Sequence, residues 1–508
     1  MSIAAFDHDL SSIQEMRRAV QKAKEAQKEY NKFTQEQVDR IVKNVADAAF
    51  RKAEELGRLA VEETGMGVAL HKKIKNEVGS RDVYESIRSE KTVGIINEDR
   101  VKKVVEIATP FGVIAGIVPT TNPTSTAIFK SLIALKTRNG IVFSPHPSAV
   151  KCTVEALKIC HQAAVETGAP EGIIGWMTQP TMPATEGLMH HKDINLILAT
   201  GGGGLVRAAY SSGKPAYGVG PGNVPVYIEK SAQVKDAVKR IVASKTFDNG
   251  TICATEQALI VDENIKELVM KELKNTGAYF LQGEEKKRME QTISPIPRKL
   301  NPKIVGRSAV RIAEMAGVTV PSETKLLVAE ETEVGKEYPF SIEKLSPIFA
   351  LYTVEGHHEA LVLAERLLNL GGRGHTLSLH TNDEKVAKEF ALHMPVSRIL
   401  VNTPSALGAV GGTTGLMPSM TLGCGSFGGN ITSDNITARH LLNIKRMAYG
   451  LRDVEIPKAE EPVKNTQPEL NINDVVAEVL KQVKQSNVDS KAVAEIVNEV
   501  IKHYQNKL

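Results

Sequence analysis

Short apolar runs that stop abruptly at glycine, proline or serine constrain this chain more than any other feature. GVIAGIVP (112–119), NGIVFSP (139–145) and INLILATGGGG (194–204) leave no polar face to turn towards solvent. Strands of that kind are buried on both sides, as in a parallel sheet. Stretches with helical spacing lie between them, at 124–136 and 150–167. Strand alternating with helix predicts a doubly wound α/β fold. A second series starts near residue 250, with QALIVD (257–262), KLLVAE (325–330), IFALYTV (348–354), TLSLHT (376–381) and RILVNT (398–403) as strands. Two α/β units of domain size are therefore expected. The first hundred residues read as helices, with Ile13, Met16, Val20 and Ala23, then Ile41, Val42, Val45 and Ala48, on helical spacing. The segment 416–450 reads as Gly-rich and then helical.

Composition narrows the function. Among 508 residues, 63 Lys and Arg against 59 Asp and Glu leave a net charge of only +4, too small and too evenly spread for a nucleic-acid partner. With aromatics at 5% and one tryptophan, a stacking platform for single strands is not expected either. The longest apolar run, Val113 to Val118, is broken by Gly116 and Pro119, so no membrane span is expected. The start, MSIAAFDHDLSS, carries Asp7 and Asp9 and lacks the pattern of a secretory signal. Four cysteines with no Cys-x-x-Cys pair argue for a reducing, cytoplasmic location and for no metal site.

The last sixty residues differ in kind. IPKAEEPVKNTQPE carries three prolines and many charges, which predicts a flexible linker over 456–471. Two amphipathic helices follow in 472–508. Ile472, Val475, Val476, Val479, Leu480 and Val483 form one stripe, and Val493, Ile496, Val497, Val500, Ile501 and Tyr504 repeat it 21 residues on. Asn473 and Asp489 or Ser490 are the candidate N-caps.

One cysteine has the company of a nucleophile. Cys253 lies in TFDNGTICATEQ, a polar loop just ahead of the strand QALIVD, whereas Cys152 and Cys160 are spaced for packing on one helix. Cys424 sits in a Gly-rich loop, LGCGSFGGN. Asn122, in IVPTTNPTST between a strand and a helix, offers an amide to a developing oxyanion; Asn-Pro alone is otherwise a turn. TGGGG (200–204) is a strand-to-helix turn whose backbone N–H groups suit a phosphate, and GVGPGN (218–223) is a further Gly-rich bend. His375, His190 and His191 read as structural or surface residues.

The segments IVPTTNPTSTAIFKSLIALKTRN, ILATGGGGLVRAAYSSGKPAYGVGPGN, FDNGTICATEQ, EKLSP, GGRGHT and PSMTLGCGSFGGN occur in order over roughly residues 10–450. Together they resemble the CoA-acylating branch of the aldehyde dehydrogenase superfamily. The likeness is to the aldehyde dehydrogenase half of bifunctional alcohol–acetaldehyde dehydrogenases and to enzymes of bacterial microcompartments. It implies a Rossmann-type NAD-binding domain over 1–230, a catalytic cysteine domain over 231–415, and a segment at 416–455 returning to the core and an oligomerisation arm. A homodimer or tetramer is implied.

The resemblance also implies roles. Cys253 would attack the aldehyde, with the oxyanion held by the Asn122 amide and the Cys253 backbone N–H. Hydride would pass to NAD, and coenzyme A, as co-substrate, would take the acyl group from the Cys253 thioester. The dinucleotide would lie against Thr120 and Thr121, Ser144, Pro145 and His146, and Thr200, Gly201 and Gly202. Gly218, Gly220, Glu343 and Leu345 would complete its site, Glu343 at the nicotinamide ribose. His146 stands where hydrolytic relatives have Lys, which leaves NAD and NADP both open. Hydrolytic relatives also carry a Glu near Gly218 that activates water. YGVGPGN has no carboxylate, and a missing general base costs ~10²–10⁴ in rate. The expected substrate is acetaldehyde or propionaldehyde. A hydrolytic enzyme, an acylating sulfoacetaldehyde dehydrogenase and a non-catalytic scaffold are the rival readings. The tail resembles an encapsulation peptide that docks on microcompartment shell or enzyme partners; a pair of helices packed on the enzyme is its alternative.

Overall fold

The computed structural model describes residues 7–457, 471–484 and 489–506. They form two compact units that divide after Ala448. The larger unit opens with helices. Asp7 caps His8–Tyr30 by accepting from Asp9 N at 2.9 Å, and Met16, Val20, Ala23, Ala26 and Tyr30 make its buried stripe. A Thr34–Gln37 capping box starts Gln35–Arg51. That helix ends at Lys52, and a separate helix, Ala53–Thr64, follows it and closes on left-handed Gly65.

The strands are β1 (Gly94–Asp99), β2 (Val104–Pro110), β3 (Val113–Ile117), β4 (Gly140–Ser144), β5 (Ile174–Trp176), β6 (Leu196–Thr200) and β7 (Ala216–Val219). They continue as β8 (Val224–Ile228), β9 (Glu256–Asp262), β10 (Ala278–Phe280), β11 (Leu326–Glu330) and β12 (Ile348–Val354). β13 (Gly374–His380), β14 (Val396–Val401) and β15 (Leu442–Ala448) complete the series. One parallel sheet has the order β5-β4-β3-β6-β7, and a second has the order β10-β11-β12-β9-β8-β13-β14. Every expected apolar run is a strand of one of them. The first sheet reverses its order between β3 and β6. That reversal opens a crevice at the carboxyl ends of these two strands.

Three expectations about the strands need correction. The sheet changes between Val219 and Val224, so β8 belongs to the second sheet although it falls inside 1–230. The hairpin of β1 and β2 ends the helical region before residue 100. The segment 416–450 ends in strand, not helix. β15 pairs antiparallel with β2 from Leu442↔Pro110 to Ala448↔Val104, half-burying Leu442 and Ile444 while Asn443 and Lys445 stay exposed. Cross-strand pairing overrides the local helical pattern there.

The smaller unit contains two helices, Ile472–Val483 and Ser490–Gln505, that pack against each other. The first is capped by Asn471 rather than Asn473, since Asn471 Oδ1 accepts from Asn473 N at 3.1 Å. Asp489 caps the second as expected. Val500 is buried, while Ile472, Val476 and Leu480 remain about half exposed or more. Most of the expected linker lies outside the described residues. No helix among the described residues is long and apolar enough to cross a membrane.

Candidate active site

The Cys253 loop is shaped by a buried aspartate. Asp248 and Asn249 both adopt left-handed backbone, with φ of 50° and 52°, in the turn that precedes it. Side-chain contacts hold that conformation. Asp248 Oδ1 accepts from Val68 N at 2.7 Å, and its Oδ2 accepts from Lys72 at 3.0 Å, Lys75 at 2.5 Å and Thr251 Oγ1 at 2.7 Å. Its own N–H donates to His71 Nδ1 at 2.8 Å. Burial alone would raise the Asp248 carboxyl, but Lys75 and Lys72 hold it down at about 2. Burial in turn draws the Lys75 ammonium down to about 8 against the pull of Asp248.

Beyond the turn, Cys253 is partly buried, whereas Cys152, Cys160 and Cys424 are fully buried. Only glycine fits at 222, since a Cβ there would stand 2.2 Å from the Cys253 carbonyl oxygen. The Gly222 N–H donates to Glu343 Oε1 at 2.9 Å, which brings Glu343 to the same place. Burial raises Glu343 to about 8, so its carboxyl is largely protonated at neutral pH. Burial, with Glu343 and Cys424 adding, pushes the Cys253 thiol up to about 12, and Arg398 opposes them. At neutral pH Cys253 is therefore a thiol.

His375 packs against Gly222, and its buried Nε2 has no hydrogen-bond partner among the described residues. Burial and the nearby Arg398 lower it to about 3, so the ring is neutral. Arg398 donates to the carbonyls of His375, Gly423 and Ser433 and pins these loops around the cysteine.

Asn122 arrives from the end of β3. It occupies the N-cap position of the buried helix Pro123–Lys136, yet its side chain makes no cap bond. Its Oδ1 accepts from Lys75 Nζ at 2.6 Å, and the same ammonium donates to Thr251 Oγ1 at 2.9 Å, two residues before Cys253. Lys75 thus joins the Asn122 turn to the cysteine loop.

Thr120 and Thr121, Ser144 to His146, and Thr200 to Gly202 lie at the carboxyl ends of β3, β4 and β6; Gly218, Gly220, Glu343 and Leu345 do not. Thr120 Oγ1 is buried without a partner among the described residues, a group that a ligand would satisfy. Gly202 begins the helix Gly203–Ser211, and a Cβ on Gly202, Gly203 or Gly204 would meet nothing within 4 Å. These open backbone positions and the crevice fit a dinucleotide. Other expected residues are spent within the fold. Ser144 Oγ bonds Thr185 Oγ1 at 2.8 Å, beside buried Pro145. Thr200 Oγ1 bonds Thr421 Oγ1 at 3.1 Å, and a Cβ on Gly201 would meet Leu205. Exposed His146 uses Nδ1 to accept from Ser148 N at 3.1 Å, which leaves Nε2 free to donate. Leu345, at φ 47°, offers its carbonyl to Gly306 N. Gly218 is a packing glycine: a Cβ would stand 2.8 Å from Val206 and 3.0 Å from Tyr210. Gly220 faces open space.

Sequence reasoning passed over Lys72, Lys75, Asp248 and Arg398. No local motif marks them; their partners lie far away along the chain. His357 and His358 lie 3.2 and 3.3 Å from the Glu389 carboxylate, away from the residues assembled around Cys253.

A profile of the aldehyde dehydrogenase family matches residues 7–437. The chain belongs to the aldehyde dehydrogenase family. Within the family it is 48% identical over 458 residues to the bifunctional aldehyde-alcohol dehydrogenase AdhE of Escherichia coli K12, covering 89% of this chain and 51% of that relative. The chain therefore spans about half the length of such curated relatives. The acetylating aldehyde dehydrogenase of Geobacillus thermoglucosidasius superimposes with a TM-score of 0.88 at 58% identity, over 89% of this chain and 100% of that one. A propionaldehyde dehydrogenase from the fucose utilisation bacterial microcompartment of Clostridium phytofermentans gives a TM-score of 0.77 at 29% identity, over 86% and 97%.

Proposed function

We propose that this aldehyde dehydrogenase is NAD-dependent and CoA-acylating, and converts acetaldehyde or propionaldehyde to the acyl-CoA. The observation that carries the reading is Cys253, the one cysteine among the described residues that is not fully buried, joined to Asn122 through Lys75 and beside a Gly218–Gly222 segment without a carboxylate. Cys253 Sγ adds to the aldehyde carbon and its proton is released to solvent. The carbonyl oxygen becomes an oxyanion facing Asn122 Nδ2 and the Cys253 N–H; one such donor contributes ~10²–10³ in rate. Bound NAD supplies the hydride acceptor, with Thr120, the glycines after β6 and Glu343 holding it. Loss of hydride leaves a thioester on Cys253. The thiol of coenzyme A attacks that thioester, expels Cys253 and leaves as acyl-CoA. A thiol needs less help from a base than water does, so a site whose Gly218–Gly222 segment carries no carboxylate and whose Glu343 is largely protonated at neutral pH suits CoA. Repeated NADH formation from acetaldehyde and NAD⁺ is expected only when CoA is added. Equal turnover without CoA would make the enzyme hydrolytic.

The two terminal helices support a second assignment within the same reading. Their exposed Ile472, Val476 and Leu480 offer an apolar stripe to another protein, as an encapsulation peptide does. A microcompartment shell or enzyme partner is the proposed target, and the antiparallel sheet of β1, β2 and β15 is the proposed arm of a homodimer or tetramer. Removal of residues 456–508 is expected to leave turnover intact and abolish co-sedimentation with shell proteins. Lost turnover would return these helices to a structural role.

A further inference from the structure

We propose that Lys75 is a positioning residue for the oxyanion donor: its ammonium takes Oδ1 of Asn122 and so aims Nδ2 of that amide at the reacting carbonyl. The inference rests on the acylating reading and adds a part to it. The two ends of an asparagine amide have nearly the same shape, so packing alone does not choose between them. An ammonium does choose, because it has three donors and no acceptor. The three protons of Lys75 have three acceptors in fixed directions: Asn122 Oδ1 at 2.6 Å, Asp248 Oδ2 at 2.5 Å and Thr251 Oγ1 at 2.9 Å. With Oδ1 taken, Nδ2 is turned away from the lysine. One of its protons goes to Thr121 Oγ1 at 3.2 Å and the other is left for a ligand.

The usual duty of a residue at this position is to cap the helix, and Asn122 does not perform it. Its carbonyl end serves the lysine instead. Lys72, nearly one turn earlier on the helix Ala69–Glu77 that also carries Lys75, repeats the arrangement, donating to Thr121 O at 2.9 Å and to Asp248 Oδ2 at 3.0 Å. The two lysines therefore strap the turn carrying Asn122 to the turn carrying Cys253. All of Lys75 is buried, and it acts on the reaction only through Asn122.

The test is a kinetic cycle on single-turnover NADH release from propionaldehyde and NAD⁺ without CoA, using the full chain. Lys75→Met and Asn122→Ala are each expected to slow the burst by ~10²-fold with little change in the aldehyde KM. The double variant is expected to be no more than about threefold slower than either single one, because both remove the same donor. Lys75→Gln keeps an N–H for Oδ1 and is expected to recover about tenfold over Lys75→Met. Losses that multiply to ~10⁴, or an unaltered burst in Lys75→Met, overturn the proposal. If Lys75→Met does not fold, Lys75→Gln takes its place in the cycle, and losses that multiply to ~10³ overturn the proposal. Failure of the underlying reading shows separately, as a wild-type enzyme with no burst or no response to CoA.

Discussion

Cys253→Ala is expected to lose CoA-dependent turnover by ~10⁴-fold or more while keeping its fold. Removal of a nucleophile leaves only binding and oxyanion stabilisation to act on the substrate. No neighbouring thiol can substitute: Cys424 is buried, whereas Cys253 keeps part of its surface open. Steady-state NADH formation measures the loss. Intact mass after incubation with acetyl-CoA supplies a second readout, because wild type should gain one acetyl group on Cys253 and the variant none. Activity above about a hundredth of wild type, or an adduct on Cys424, would remove Cys253 from its role. The thiol's raised value adds a pH signature. The thiolate is the attacking form, so alkylation by iodoacetamide should climb about tenfold per pH unit from about pH 6 to 8 with no plateau. A plateau near neutrality would reveal an activated thiolate.

The two parallel sheets were legible because a strand buried on both faces must be apolar throughout, and a strand such as β3 has no other way to satisfy its surroundings. The antiparallel sheet was not. β1 and β15 are both mostly exposed, so neither follows an apolar rule, and the pairing of β15 with β2 across more than 300 positions is invisible locally. The same distinction divides the candidate site. Cys253 and Asn122 lie in loops whose glycines, prolines and small polar residues announce a site. Lys75 lies in HKKIKNE, which reads as a solvated basic helix face. What makes it a buried site residue is Asp248, 173 positions away. Gly218 illustrates a further limit. Its lack of a carboxylate was read as chemistry, and the contacts of Val206 and Tyr210 give it a packing reason as well.

Asp248→Ala is expected to destabilise the protein by about 3–5 kcal/mol, the usual cost of removing one partner from a buried ion pair. The cost is large here because one carboxylate serves two ammonium groups, and the Lys72, Lys75 and Asp248 side chains are each at most 2% exposed. Without it, two buried cations face one another, and the left-handed turn at 248–249 loses the contacts that hold it. Urea unfolding followed through Trp176, the one tryptophan, should show the shift, and a change below about 1 kcal/mol would mean that water replaces the carboxylate. The sign with pH is fixed. A carboxyl held at about 2 against an ordinary 3.8 stabilises the fold above about pH 4 and loses that contribution as the pH falls towards 2. Wild type should therefore lose stability over that interval more steeply than Asp248→Ala, which has no such carboxyl to protonate. Asp248→Asn separates shape from charge. It keeps an acceptor oxygen for Val68 N or for a lysine but not for all, so its loss should fall between those of wild type and the alanine variant. Since the same carboxylate orients Lys75, the asparagine variant should also slow acylation more than its stability alone would explain.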